Sequence, residues 1–281
     1  MPSTREELFW STGVVGLLTS LQAFNKEGIP GQLIIHPSIN GSLETSLTMY
    51  FTNMTSESDV EAHMRTHITS FMPESGIPYT LSTKFQAHSS SELRMDADIY
   101  PPDYGILTGS VAVSERLFAS RSGPSKIARA FARLPMGPGD TIFTSNLGGK
   151  VTSNKDLVDT AIHPAWRDSA QLINFIRVVE PSIGGKISAL RELTTLQMPI
   201  LYSIENLNTR VSYRNMGDPN EKDFQGVYWG KQNYRRLLRI KRNRDKDGLF
   251  VTRLGVGSED WDDEGMCKRQ NSMRSRYLMM L

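Results

Sequence analysis

Leu8 to Phe24 (LFWSTGVVGLLTSLQAF) runs for seventeen residues without a charge, and whatever fold the chain adopts must bury it. Arg5 precedes the run roughly as the basic end of a secretion signal would. Glu6 and Glu7, however, stand directly before it, and no small-x-small cleavage site follows. Ser11, Thr12, Gly13, Gly16, Thr19, Ser20 and Gln22 make it too polar for a membrane span. It therefore reads as a buried strand or helix, with no targeting signal and a cytoplasmic location by default. A chain of 281 residues can bury such a core unaided. Its single cysteine, Cys267, excludes an intrachain disulfide framework and any cysteine-based zinc site.

Beyond the turn residues KEGIPG, the pattern alternates between strand and helix. Gln32 to His36 and Leu47 to Thr52 are strand-like, with Asn40-Gly41 as the turn between them. Ser56 to Phe71 opens on Ser-x-x-Asp and reads as a helix. Glu115 to Arg133 is broken by Ser122-Gly123-Pro124, which predicts two short helices. Asp140 to Ser145 and Leu172 to Val179 are further strands. Tyr234 to Arg244 carries Leu237, Leu238 and Ile240 among its basic residues and reads as one helix with an apolar stripe. Asp245 to Gly248 ends it, and Leu249 to Leu254 looks like a strand. An α+β fold follows, an antiparallel sheet covered by helices.

Few motifs carry chemistry. With 32 Lys and Arg against 30 Asp and Glu, the net charge of +2 points to no nucleic-acid or membrane partner. The basic helix lacks aromatic interleaving and reads as a surface helix whose stems cover apolar neighbours. Gly148-Gly149-Lys150 is followed by Val151, so it is no phosphate loop, and neither a GxGxxG fingerprint nor a GxSxG elbow occurs. His63 and His67 have metal-ligand spacing on a helix. Met64 stands where a metalloprotease needs Glu, and no third ligand lies nearby in sequence. A solvated helix face is the expectation there, with no metal.

The most specific pattern is Tyr213 to Trp261, YRNMGDPNEKDFQGVYWGKQNYRRLLRIKRNRDKDGLFVTRLGVGSEDW. Tyr213, Asn215, Asp218-Pro219, Tyr228-Trp229-Gly230, Asn233-Tyr234, Arg236-Leu237, Ile240-Lys241 and Gly248-Leu249-Phe250 fall in one order. Val256 to Glu259 and Trp261 close it. This segment resembles the C-terminal signature of fungal FAD-linked oxidoreductases of the berberine-bridge-enzyme type. Two weaker matches extend the likeness: His163-Pro164-Ala165-Trp166-Arg167, and Glu7-Leu8-Phe9-Trp10 with Gly13-Val14-Val15. The departures are Met216-Gly217 for the usual Glu-Ala, Lys246 for a turn proline, and a missing glycine run between Trp10 and Gly13.

The resemblance implies four parts. Residues 1–27 would be the end of a FAD-binding domain, 28–198 a substrate domain, 199–261 the segment that returns to the flavin domain, and 262–281 an unmatched tail. Most of the N-terminal FAD-binding domain, with its flavin-linking His and Cys, has no counterpart in the sequence, so covalent attachment is not expected. The implied reaction oxidises a small organic substrate by hydride transfer to FAD, with molecular oxygen as final acceptor, in fungal secondary metabolism. Tyr213 would be the base or orienting phenol, positioned by Asn215. Asn233, Tyr234, Gly13 and Val14 would lie against the cofactor, which a separate flavin-domain chain could bring. The alternative is a flavin-free cyclase or isomerase, or an inactive remnant.

Overall fold

Leu17, Leu18, Leu21 and Phe24 recur at helical spacing and all are buried, so the apolar run resolves as helix. The computed structural model describes residues 4–38, 40–52, 54, 56–68, 105–180, 182–205, 210–263 and 265–269. One helical run comprises α1 (Arg5–Leu8), a π-helical stretch (Phe9–Val14) and α2 (Val15–Lys26). Thr4 and Glu7 start it with a reciprocal capping box: Thr4 Oγ1 accepts from the Glu7 N–H at 3.1 Å, and Glu7 Oε2 from the Thr4 N–H at 2.7 Å. Among the described residues no helix is long and apolar enough to cross a membrane.

Strands β1 (Gly31–Pro37) and β2 (Leu43–Met49) form a hairpin, and α3 (Glu57–Ile68) follows, with Ser56 Oγ accepting from the Asp59 N–H at 3.3 Å. The second strand thus begins earlier than its sequence suggests. The hairpin register pairs Pro37 with Leu43, so the turn stays short and the strand must start there. Residues 69–71, assigned to the helix from sequence, lie outside the described residues. Next come β3 (Gly105–Ser114), the predicted broken pair α4 (Glu115–Phe118) and α5 (Gly123–Ala132), then β4 (Thr141–Asn146), α6 (Lys150–Ser153) and β5 (Ser169–Val179). α7 (Ile183–Glu192) runs through a π-helical turn into α8 (Met198–Tyr202), and α9 (Lys231–Arg244) is the basic helix.

The five strands form one antiparallel sheet in the order β2-β1-β4-β5-β3, as the α+β reading requires. Because side chains alternate along a strand, β5 sends Ile173 and Phe175 to one face and Leu172 and Asn174 to the other. The first, or helix face, carries the main core, where Phe9, Trp10, Leu18 and Leu21 meet Leu33, Ile35, Ile142 and Phe175. A polar chain fastens α2 there. Thr144 Oγ1 donates to Gln171 Oε1 at 3.1 Å, Gln171 donates to Asn146, and Asn146 Nδ2 donates to the carbonyls of Leu21 (3.3 Å) and Ile29 (3.1 Å).

Leu249 to Leu254 is not a strand. The Asp245 carboxylate accepts from the N–H groups of Leu249 (2.8 Å) and Phe250 (3.1 Å), which curls the chain back on the end of α9, and Leu254 adopts a positive φ of 55°. Leu249 and Phe250 are 80% and 79% exposed, so the apolar pattern that suggested a strand has no sheet to join.

Candidate functional site

The second face of the sheet is covered at one end by the segment after residue 209. The Ala112 N–H donates to the Val211 carbonyl at 2.8 Å, continuing the hydrogen-bonding of the edge strand β3. Ser110 Oγ lies 2.8 Å from Ser212 Oγ and accepts from the Tyr213 N–H at 2.9 Å. Ala112, Leu172 and Val211 form a small core of their own, flanked by Leu147, Ala165 and Trp166. Tyr213 is fixed by its backbone, while its ring stays 38% exposed and stands edge-on to Trp166, with centroids 6.0 Å apart.

Asn215 Nδ2 donates to the Tyr213 phenolic oxygen at 2.9 Å. A 3-10 turn, Arg214–Met216, makes the contact. The donated bond occupies one lone pair of the phenol and leaves its proton free for an acceptor from outside. Gly217 permits the approach behind the turn, because a Cβ there would lie 2.3 Å from Tyr228 Oη. Tyr228 donates to the Asp218 carbonyl at 2.9 Å, and burial together with nearby carboxylates raises its phenol well above the ordinary range. Burial also raises the Asp218 carboxyl, against the lowering effect of the Asn220 N–H and Thr194 hydroxyl.

Beneath this cover lies a residue that sequence reasoning missed. Asn174 pairs with Ser110 on one side and Phe143 on the other, and is 1% exposed. Neither its Nδ2 nor its Oδ1 has a hydrogen-bond partner among the described residues. A buried amide without partners costs about 1–3 kcal/mol, so such a group points to a ligand it is shaped to meet. No motif marks it; only the alternation of β5 could have placed it beside the Tyr213 anchor.

The other expected site residues lie elsewhere. Asn233 Nδ2 donates to the Ile162 carbonyl at 2.8 Å, tying the start of α9 to the loop before Pro164. Tyr234 is 4% exposed; its hydroxyl donates to Glu259 and accepts from the Gly257 N–H at 2.9 Å, and burial raises its phenol well above the ordinary range. Gly13 and Val14 are buried in the π-helical stretch, and Val14 belongs to the helix-face core. Tyr213 and Asn215 are thus bonded to each other, while Asn233 and Tyr234 bond to Ile162, Glu259 and Gly257, and Val14 packs in the helix-face core.

The His163 to Arg167 match is part of the same architecture. His163 Nε2 donates to the Gly226 carbonyl at 2.9 Å, Nδ1 accepts from the Ala165 N–H at 3.1 Å, and burial lowers its pKa. A neutral ring meets both bonds. Gly230, at φ 76°, packs on this step, where a Cβ would sit 3.1 Å from Pro164 Cδ. Arg167 holds the carbonyls of Val151 and Val158 and the side chains of Asn154 and Thr160 at 2.9–3.1 Å.

Toward FAD, the second face offers the Asn174 amide, which has no partner among the described residues, and the Tyr213 phenol. Asn233 Nδ2 and the Tyr234 hydroxyl, by contrast, bond within the chain.

Comparison with known proteins shows what the chain is similar to. Residues 212–257 match the family described as berberine and berberine like. The chain is 49% identical to FAD-linked oxidoreductase easE of Epichloe festucae var. lolii over 100% of its own length and 46% of the relative's. With its namesake from Claviceps purpurea (strain 20.1) it shares 46% identity over 96% of the chain and 55% of that protein. It thus spans about half the length of the curated relatives it matches. The VAO-type flavoprotein MtVAO713 from Myceliophthora thermophila superposes with a TM-score of 0.71 at 18% identity, over 95% of this chain and 47% of that one. Berberine bridge enzyme from Eschscholzia californica does so at 0.55 and 12%, over 86% and 52%.

Proposed function

We infer that this chain, a member of the berberine-like FAD-linked oxidoreductases, forms the substrate-facing part of an enzyme that oxidises a small organic molecule. The observation that carries the reading is the second face, where the Asn174 amide, without a partner among the described residues, lies under the segment that holds the Tyr213–Asn215 pair. The substrate would lie against Phe143 and Tyr213, and the Asn174 amide beneath the cover would meet its polar group only where that cover gives way. Tyr213, its phenolic oxygen oriented by Asn215, would bond the substrate heteroatom and act as base or orienting group for the proton the substrate loses as the hydride leaves. Trp166 stands edge-on to Tyr213 on that side. FAD, when bound, would supply the acceptor for the hydride, with molecular oxygen reoxidising it. Residues 28–198 would then act as the substrate domain, and 199–261 as the segment that carries Tyr213 onto it.

The test is absorbance of the purified chain with FAD, before and after desalting. Retained flavin, weakened by Asn174→Leu or Tyr213→Phe, supports the reading. Loss of all flavin on desalting counts against redox chemistry in this chain by itself. Because Asn233 and Tyr234 are engaged internally, it would favour a flavin-free isomerase or cyclase, or a chain that works only beside a separate flavin domain.

A further inference from the structure

His63 and His67 lie one helical turn apart on α3, with no third ligand close in sequence, but the fold brings one from α2. Glu27 is the residue that ends α2, and α3 packs against that end, where Ser20 Oγ donates to the His67 carbonyl at 2.7 Å. His63 Nε2 lies 2.6 Å from Glu27 Oε2, and His67 Nε2 lies 3.0 Å from Oε1. The three ligand atoms fall within 4.8 Å of one another. The rings are held by packing. His67 stands edge-on to Phe24 with centroids 4.7 Å apart, His63 edge-on to Phe51 at 5.8 Å, and the two imidazoles meet at 5.2 Å.

We propose that Glu27, His63 and His67 form a binding site for a divalent transition cation, zinc foremost, which clips α3 to the end of α2. Two imidazoles and one carboxylate are the donors such an ion takes, whereas calcium and magnesium require oxygen ligands throughout. Tetrahedral bonds of about 2.0 Å would set the ligand atoms roughly 3.3 Å apart. The histidines now bond different oxygens of Glu27, at 2.6 and 3.0 Å, so the three ligand atoms, within 4.8 Å of one another, must rearrange to reach that spacing. The side chains of His63, His67 and Glu27 are 33%, 21% and 36% exposed, so an ion enters from solvent and water completes its shell. The site lies on the helix side of the sheet and does not depend on the function proposed for the second face.

A carboxylate shared by two imidazoles is also the geometry of a simple ion-pair cluster, and metal titration separates the two. The full chain, stripped with a chelator, is titrated with Co2+ and followed by its visible absorption, then displaced with Zn2+. One saturable equivalent per chain is expected, together with a Tm that rises with zinc concentration. Loss of an outer-shell partner weakens metal sites by about 10–100-fold, so Glu27→Gln and His63→Asn should each weaken Co2+ binding at least tenfold. Metal-free circular dichroism of each variant controls for folding, and both positions are partly exposed. Cys267→Ser should bind as the unaltered chain does. Absence of saturable binding overturns the proposal, as does binding that persists in both ligand variants or disappears with Cys267→Ser.

Discussion

Ile173 and Phe175 face one side of β5 and Asn174 the other, and all three are equally cut off from water, at 1%, 0% and 1% exposure. Their surroundings differ. Phe175 lies in a continuous apolar cluster with Leu18, Leu33 and Ile142, whereas Asn174 carries two polar atoms with no partner among the described residues. Adjacent positions on one strand thus serve opposite ends. The helix face turns burial into stability through apolar contact. The second face holds a polar group at a cost the fold can bear only because the first is so well packed. A polar group buried without a partner among the described residues calls for an explanation that apolar packing does not supply.

The widest gap should appear between these neighbours. Phe175→Ala removes a fully buried ring and should cost about 3–5 kcal/mol in urea unfolding. A loss below about 1 kcal/mol would mean the helix face is not the tightly packed side. Asn174→Leu keeps most of the volume and deletes the stranded polar atoms, so stability should hold or rise by up to about 1–3 kcal/mol. A loss as large as that of Phe175→Ala would show that the amide is satisfied in the folded chain, and the contrast between the faces would collapse.

The cover of the second face should also have a pH dependence of its own. Burial, opposed by the bond to Gly226, lowers the pKa of His163 from its ordinary value of 6.5. Near that ordinary value the unfolded chain therefore binds more protons than the folded one. The contribution of His163 to stability is complete above the ordinary value and is lost as pH falls through the lower, folded value. His163→Asn keeps an acceptor for the Ala165 N–H and cannot titrate, so it should flatten the fall in Tm on the acid side of pH 6.5. An unchanged slope would place the acid sensitivity elsewhere.

How much of this was legible in the chain varies with the kind of force involved. Burial of the run from Leu8 to Phe24 was, though strand and helix stayed open there, and so was β5, a near-continuous apolar run. Turn chemistry marked the break between α4 and α5 at Ser122-Gly123-Pro124. Leu249 to Leu254 misled because strand patterning says nothing about whether a neighbouring strand is available, and the Asp245 carboxylate had already claimed the backbone. At the site, the pairing of Tyr213 with Asn215 came from the resemblance, and the 3-10 turn that makes the contact was not foreseen. Asn174 and the Glu27 link to His63 and His67 were invisible, since each depends on residues more than thirty positions apart.

The smallest effect on stability is expected at Tyr213, and it completes the comparison. Tyr213→Phe preserves the ring against Trp166 and the backbone bond to Ser110, and removes only the hydroxyl that accepts from Asn215. At 38% exposure the change should stay within about 0.5 kcal/mol in the same urea titration. If the second face meets a substrate, Tyr213→Phe and Asn174→Leu should both weaken ligand binding while neither unfolds the chain, and Phe175→Ala should do the reverse. A Tyr213→Phe variant that loses stability like a core substitution would make the phenol part of the packing, and the second face would be only a second, poorer core.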